Sequence, residues 1–170
     1  MGEFVTHATV WVAVLLYGLS TCSLLLKRPS TESRLLWTLG LGVFILHVFT
    51  AFHFFYDWSH QTAWLETARI TEDFVGRHDG TGIYLNYLFT AVWAIDCVWW
   101  WMVGLERYTK RRVWISLTIH LFFLFMIING GIVFVEGPVR WFTTAVSAAV
   151  LICVVARKPA PLTDEQDSIS

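Results

Sequence analysis

Apolar residues along this chain come in long unbroken runs rather than in the mixed pattern of a soluble domain. Four runs of membrane-spanning length carry few or no charges: 4–26, 35–56, 82–105 and 113–135. A fifth, 139–156, is shorter and spans if Arg140 extends its long side chain from the end toward the membrane surface. Backbone polar groups in hydrocarbon find no water, so each segment must satisfy its own, as a helix does. The pattern predicts an all-α integral membrane protein, a bundle of about five transmembrane helices forming one domain over 1–156. Between the second and third runs the rhythm changes. At ~100° per residue Trp64, Ala68, Thr71 and Val75 share one face of 60–75, with Glu66, Arg69 and Asp73 opposite. Ser59 as N-cap and Gly76 as terminator bound that segment. It is predicted as an outer amphipathic helix, lying in the interface plane or packed on the ends of the spans. The tail 157–170, "RKPAPLTDEQDSIS", is proline-broken, polar and acidic, and is predicted to be disordered.

Composition agrees with the runs. The 170 residues are 56% apolar and only 15% charged, where ordinary soluble domains run near a quarter charged. The net charge of −1 says little, but the placement of the cations says more. Lys27, Arg28, Arg34, Arg107, Lys110, Arg111, Arg112, Arg157 and Lys158 fall on one side of the spans, and Arg69, Arg77 and Arg140 on the other. By the positive-inside rule the N-terminus is outside and the C-terminus cytoplasmic, in the cytoplasmic (inner) membrane of a bacterium. The expected partners are the lipid bilayer and a second copy or a larger membrane complex. No basic stripe suits nucleic acid. The segment "MGEFVTH" has Glu3 where a cleaved signal peptide is basic, and its match to the myristoylation pattern at Gly2 and Thr6 conflicts with an outward N-terminus. Cys22, Cys97 and Cys153 fall on three different spans without a CxxC pair, which reads as buried small apolar residues rather than redox chemistry.

Candidate chemistry lies in the ionisable groups within the runs, each of which costs roughly 2.5–3.5 kcal/mol to insert. Counting ~1.5 Å per residue from the cytoplasmic ends puts His120 about 10 Å deep, Asp96 about 14 Å and His47 about 18 Å. Asp96 and His120 are therefore expected to form a buried polar pair between the third and fourth spans. The stretch "LHVFTAFHFFYDWSH" adds a second group, because His53, Asp57 and His60 share one stripe if the helix continues through it. With His7 from the first span, these residues are candidate ligands for a divalent transition metal. A haem would instead use His47 and His120, although their depths differ by about 8 Å. The bland alternative is that the outer residues are simply the wet ends of membrane helices.

The runs "HFFYDWSHQTAWLETA" and "GTGIYLNYLFTAVWAIDCVWWW" resemble an uncharacterised family of small bacterial polytopic membrane proteins. The resemblance covers the second and third spans with their loop and implies no activity. HxxxH boxes of membrane desaturases are absent, as are a nucleotide loop and a nucleophile elbow. Three functions remain in view. One is a non-catalytic membrane or assembly component. Another is a metal- or haem-binding redox component or enzyme, and a third is a small proton-coupled carrier acting as an oligomer.

Overall fold

The computed structural model describes residues 1–26, 30–133 and 137–156. The tail read as disordered, together with Lys27 and Arg28, lies outside the described residues. Among the described residues there are helices and no strands. We label them α1 (Gly2–Leu25), α2 (Thr31–Phe55), α3 (His60–Val75), α4 (Gly82–Thr109), α5 (Val113–Ile128) and α6 (Pro138–Ala156), with a π-helical segment, Asn129–Val133, at the end of α5. Four segments, α1, α2, α4 and Val113–Gly131, are long and apolar enough to cross a membrane, and Arg140–Val154 is a shorter apolar helix. This is a helical membrane protein.

The local chemistry that starts and stops the elements is visible. Ser30 caps α2, accepting the Ser33 N–H, while the Ser33 hydroxyl accepts the Ser30 N–H, so two otherwise orphaned donors satisfy each other's residues. Ser59 caps α3 through the Thr62 N–H, and Gly76 ends it in the left-handed conformation at φ 70°. Pro138 opens α6, where a missing N–H costs nothing.

Packing makes the five long helices a closed ring. α1 contacts α2 and α6, α2 contacts α4, α4 contacts α5, and α5 contacts α6. Small polar residues let α1 and α2 approach: the buried Ser20 hydroxyl donates to the Ser33 carbonyl at 2.7 Å, and Ser23 and Ser33 hydroxyls meet at 2.7 Å. α6 packs tightly against the π-helical segment at Gly131, where a Cβ would lie 2.7 Å from the Thr143 side chain.

The interior of the ring is aromatic. Trp37 stacks on Phe123 at 5.5 Å and 8°, Phe89 meets Phe123 at 4.5 Å, and Trp93 lies against Tyr17, Trp37, Phe44 and Phe89. Offset and edge contacts of this kind add to the burial of the rings themselves. Outside, the pattern inverts: Ile95, Met102, Leu39, Ile152 and Trp141 are all more than half exposed. A soluble protein would hide them, and a bilayer covers them instead.

α3 sits across one end of the ring against α4. It buries Ala63 and Ala68 and packs Trp64 onto Gly80. Its far face carries Arg69 between Glu66 and Asp73, with ion pairs of 2.6 and 3.0 Å. The Arg69 guanidinium holds the Glu66 carboxyl below the usual carboxylate range. The Thr81 N–H, donated to Asp79 just before α4, does the same for that carboxyl. Leu65, Phe74 and Val75 on α3 stay about half exposed or more.

Candidate functional site

Three places gather polar groups, and they differ from the groupings expected from the sequence. The first is the α2–α3 corner. The stripe His53–Asp57–His60 requires an unbroken helix, and α2 stops at Phe55. Asp57 and Trp58 then adopt left-handed backbone, φ 47° and 58°, and the Trp58 N–H bonds back to the Phe52 carbonyl at 3.1 Å. Trp58 folds onto Phe49 at 4.7 Å, which holds a conformation that a bulky residue otherwise avoids. The turn carries Asp57 off the helical stripe. His60 instead meets the Tyr87 hydroxyl at 2.9 Å, and His78 meets Glu72 at 2.7 Å. His7 and His53 are exposed side chains on α1 and α2. Among the described residues no three His, Cys, Asp or Glu side chains converge as a metal shell. The expected ligand set is not assembled.

The second place is the α4–α5 end. Asp96 is buried, as expected, but its partner is not His120. One carboxylate oxygen accepts the Tyr108 hydroxyl at 2.6 Å, and the other is paired with the Arg111 guanidinium. Both side chains of the ion pair are almost fully buried, at 4% and 1% exposed. Arg111 also donates to Ser116 at 2.6 Å and lies 4.2 Å over the Tyr108 ring, whose other face stacks on Trp100 at 4.0 Å. A straight helix forbids this arrangement, because twelve residues separate Asp96 from Tyr108 by about 18 Å along the axis. Gly104 removes the obstacle. Its φ of 76° and ψ of 172° break α4 and turn the last helical stretch back on the first, in a backbone region that is essentially glycine's alone. His120 lies elsewhere, with its ring against Tyr17 and Trp37 and its Nδ1 buried without a partner among the described residues.

The third place is a cavity of about 260 Å³ at the α3 end of the ring. Trp11 from α1, His47 from α2 and Tyr56 just after it, Asn86, Tyr87 and Trp93 from α4, and Gly130 and Gly131 of the π-helical segment contribute to its wall. The rest of the lining is mainly aliphatic and aromatic, with Val10, Phe44, Phe52, Phe89 and Ile127 among it. The π segment widens the turn of α5 here, and such single turns often occur at functional positions. Within the wall, the His47 ring bonds through Nδ1 to the Thr6 carbonyl of α1 at 2.9 Å. The Nε1 groups of Trp11 and Trp93 are buried without a partner among the described residues.

A haem between His47 and His120 does not fit this arrangement. His47 lines the cavity and His120 does not. His47 packs on Phe44 and His120 on Tyr17 and Trp37, while Trp93 is in ring contact with all three aromatics. Packed side chains stand where a macrocycle would lie.

The residues that sequence reasoning missed are Tyr108, Arg111, Trp11 and Trp93. Arg111 reads from the sequence as one of the clustered cations, and Trp11 and Trp93 as part of the apolar runs 4–26 and 82–105. Two signals pointed to them: a glycine, Gly104, near the end of an otherwise apolar span, and the pair Gly130–Gly131 inside another. Comparison with known protein families, curated proteins and solved structures finds no match to this chain.

Proposed function

We propose that this membrane protein is a non-catalytic component that holds a small, predominantly apolar molecule in the cavity at the α3 end of its helix ring. The cavity carries the reading. Its concave, mostly apolar wall with a few polar groups, bordered by a π-helical turn, is the form small-molecule sites take. The cation bias supports an orientation with this end outside and the C-terminus cytoplasmic, in a bacterial inner membrane on this reading, so that the ligand enters from the outer leaflet. The carrier reading is weaker for a specific reason. Asp96, the carboxylate deepest in a span, is already held by Arg111 and Tyr108 and is not available to shuttle protons.

Native mass spectrometry of protein released from lipid nanodiscs tests the proposal. A noncovalent amphiphile is expected at one per chain. Gly130→Leu, which adds bulk at a residue of the cavity wall where a Cβ meets nothing within 4 Å and the fold is therefore not disturbed, should lose it. Wild type and variant that both come away empty, and that bind no added apolar ligand saturably, would sink the reading.

A further inference from the structure

A cavity in a membrane protein selects its ligand through the few polar groups in its wall, since every lipid offers apolar surface. One of those groups has its chemistry fixed. His47 Nδ1 lies 2.9 Å from the Thr6 carbonyl oxygen. A carbonyl oxygen has lone pairs and no proton, so the ring supplies the proton from Nδ1. A neutral imidazole carries a single N–H, which leaves Nε2 with a lone pair and able only to accept. The tautomer does not hang on a mobile partner. Thr6 is buried, and its carbonyl also receives the Thr9 hydroxyl at 2.9 Å.

Among the other polar groups of the wall, the hydroxyls and the Asn86 amide can both donate and accept and so select no ligand class, whereas two indoles have a fixed role. The Trp11 and Trp93 indoles can only donate, and their N–H groups have no acceptor among the described residues. Trp93 is 2% exposed, so its N–H is far from water as well. The Tyr87 hydroxyl is bonded to His60, and the Thr90 hydroxyl donates to the Asn86 carbonyl at 2.9 Å. A ligand matched to this wall must offer a proton to His47 and lone pairs to an indole N–H. A ketone or ether oxygen supplies only lone pairs. An ammonium supplies only protons, and a carboxylate has no proton to give. A hydroxyl supplies both.

Resting on the reading that this cavity binds a ligand, the geometry points to a hydroxyl-bearing amphiphile as the occupant, its O–H donated to Nε2 of His47. At interior packing density about 260 Å³ accommodates an apolar body of about ten heavy atoms, with any longer tail leaving toward lipid. Aliphatic alcohols and phenols both offer the group.

The full chain in lipid nanodiscs is titrated with three brominated probes: 10-bromo-1-decanol, its methyl ether, and 4-(4-bromobutyl)phenol. Bromine quenches tryptophan emission on contact, and Trp11 and Trp93 report occupancy as a saturable component. In wild type a hydroxyl probe should saturate at a roughly tenfold lower mole fraction in lipid than the ether. His47→Asn places an amide donor near the Nδ1 position and nothing near Nε2, so it should bind alcohol and ether alike. His47→Gln carries its amide oxygen to the Nε2 position and should keep the preference. Ether binding at the wild-type level in both variants shows that the cavity is intact. Preference for the alkanol, the phenol or both supports the proposal and names the source. Equal binding of alcohol and ether by wild type overturns the hydroxyl assignment while leaving the cavity reading in place, as does a preference that survives in His47→Asn. No saturable binding of any probe overturns both.

Discussion

Asp96 shows how much a single side chain depends on its surroundings. A carboxylate inside a bilayer-spanning helix is tolerable only when its charge and lone pairs are taken up by other groups, here the Arg111 guanidinium and the Tyr108 hydroxyl. Removing one partner leaves the other buried and uncompensated. Arg111→Met is therefore expected to cost about 3–5 kcal/mol, and Tyr108→Phe, which removes one charge-assisted hydrogen bond, about 1.5–3 kcal/mol. The double variant Asp96→Leu with Arg111→Met removes both charges and should be far more stable than Arg111→Met alone. Thermal unfolding in a fixed detergent reads these variants together with Asp96→Leu alone. If the double variant loses the sum of the single losses, the two groups are not coupled.

At the scale of the element, α4 is one helix by composition and two by geometry. Gly104 lies near the end of an apolar run, where a glycine reads as a weak helix former rather than a break. Its φ of 76° and ψ of 172° exclude any residue with a Cβ except under strain. Gly104→Ala should thus cost about 1–3 kcal/mol and loosen the Tyr108–Asp96 contact with it. The contrast is Gly42 on α2, which has ordinary helical backbone and nothing within 4 Å of a built Cβ. Gly42→Ala should be neutral or stabilise the protein by up to about 1 kcal/mol through helix propensity alone. Equal effects at the two positions would mean that the break in α4 does no structural work. α3 makes a different case. Its Glu66 carboxyl is held low by Arg69, so the contribution of that pair is present above the ordinary carboxylate range and fades as pH falls through the depressed value. Both groups are solvent-exposed, and the effect on the thermal midpoint should be small and screened by salt.

For the whole molecule, the ring α1–α2–α4–α5–α6 encloses an aromatic-rich core and leaves large apolar side chains exposed on its outside, with α3 across one end. The bundle has two ends of different character. The α4–α5 end is locked by a buried ion pair and stacked rings, and the α3 end is hollow. In the orientation proposed from the cation bias, the hollow end faces outside the cell. Reporter fusions after Ser30 and Thr109 should report cytoplasm, and a fusion after Gly80 the exported side. An exported signal at Thr109 would reverse the membrane orientation and, with it, the leaflet from which a ligand enters.

Hydrophobic runs determined the helices and their bounds by themselves. α1, α2, α4 and α6 begin or end within a few residues of the apolar segments, and Ser59 and Gly76 mark α3 as read from the sequence. The reason is local: a spanning helix must be apolar along its own length, and a cap bonds backbone groups two or three residues away. Which polar groups meet was legible only in part. That Asp96 needed a buried partner followed from its depth, but choosing His120 assumed straight helices. One glycine dihedral at Gly104 brought Tyr108 and Arg111 to it instead. A similar turn at Asp57 and Trp58 dismantled the stripe expected from His53 to His60. The cavity left no linear signature either, because its wall draws scattered residues from five helices. Spacing along the chain sets the face of one helix, whereas the rotation of neighbouring helices and a few non-helical residues decide which faces meet, and only the tertiary structure holds that information.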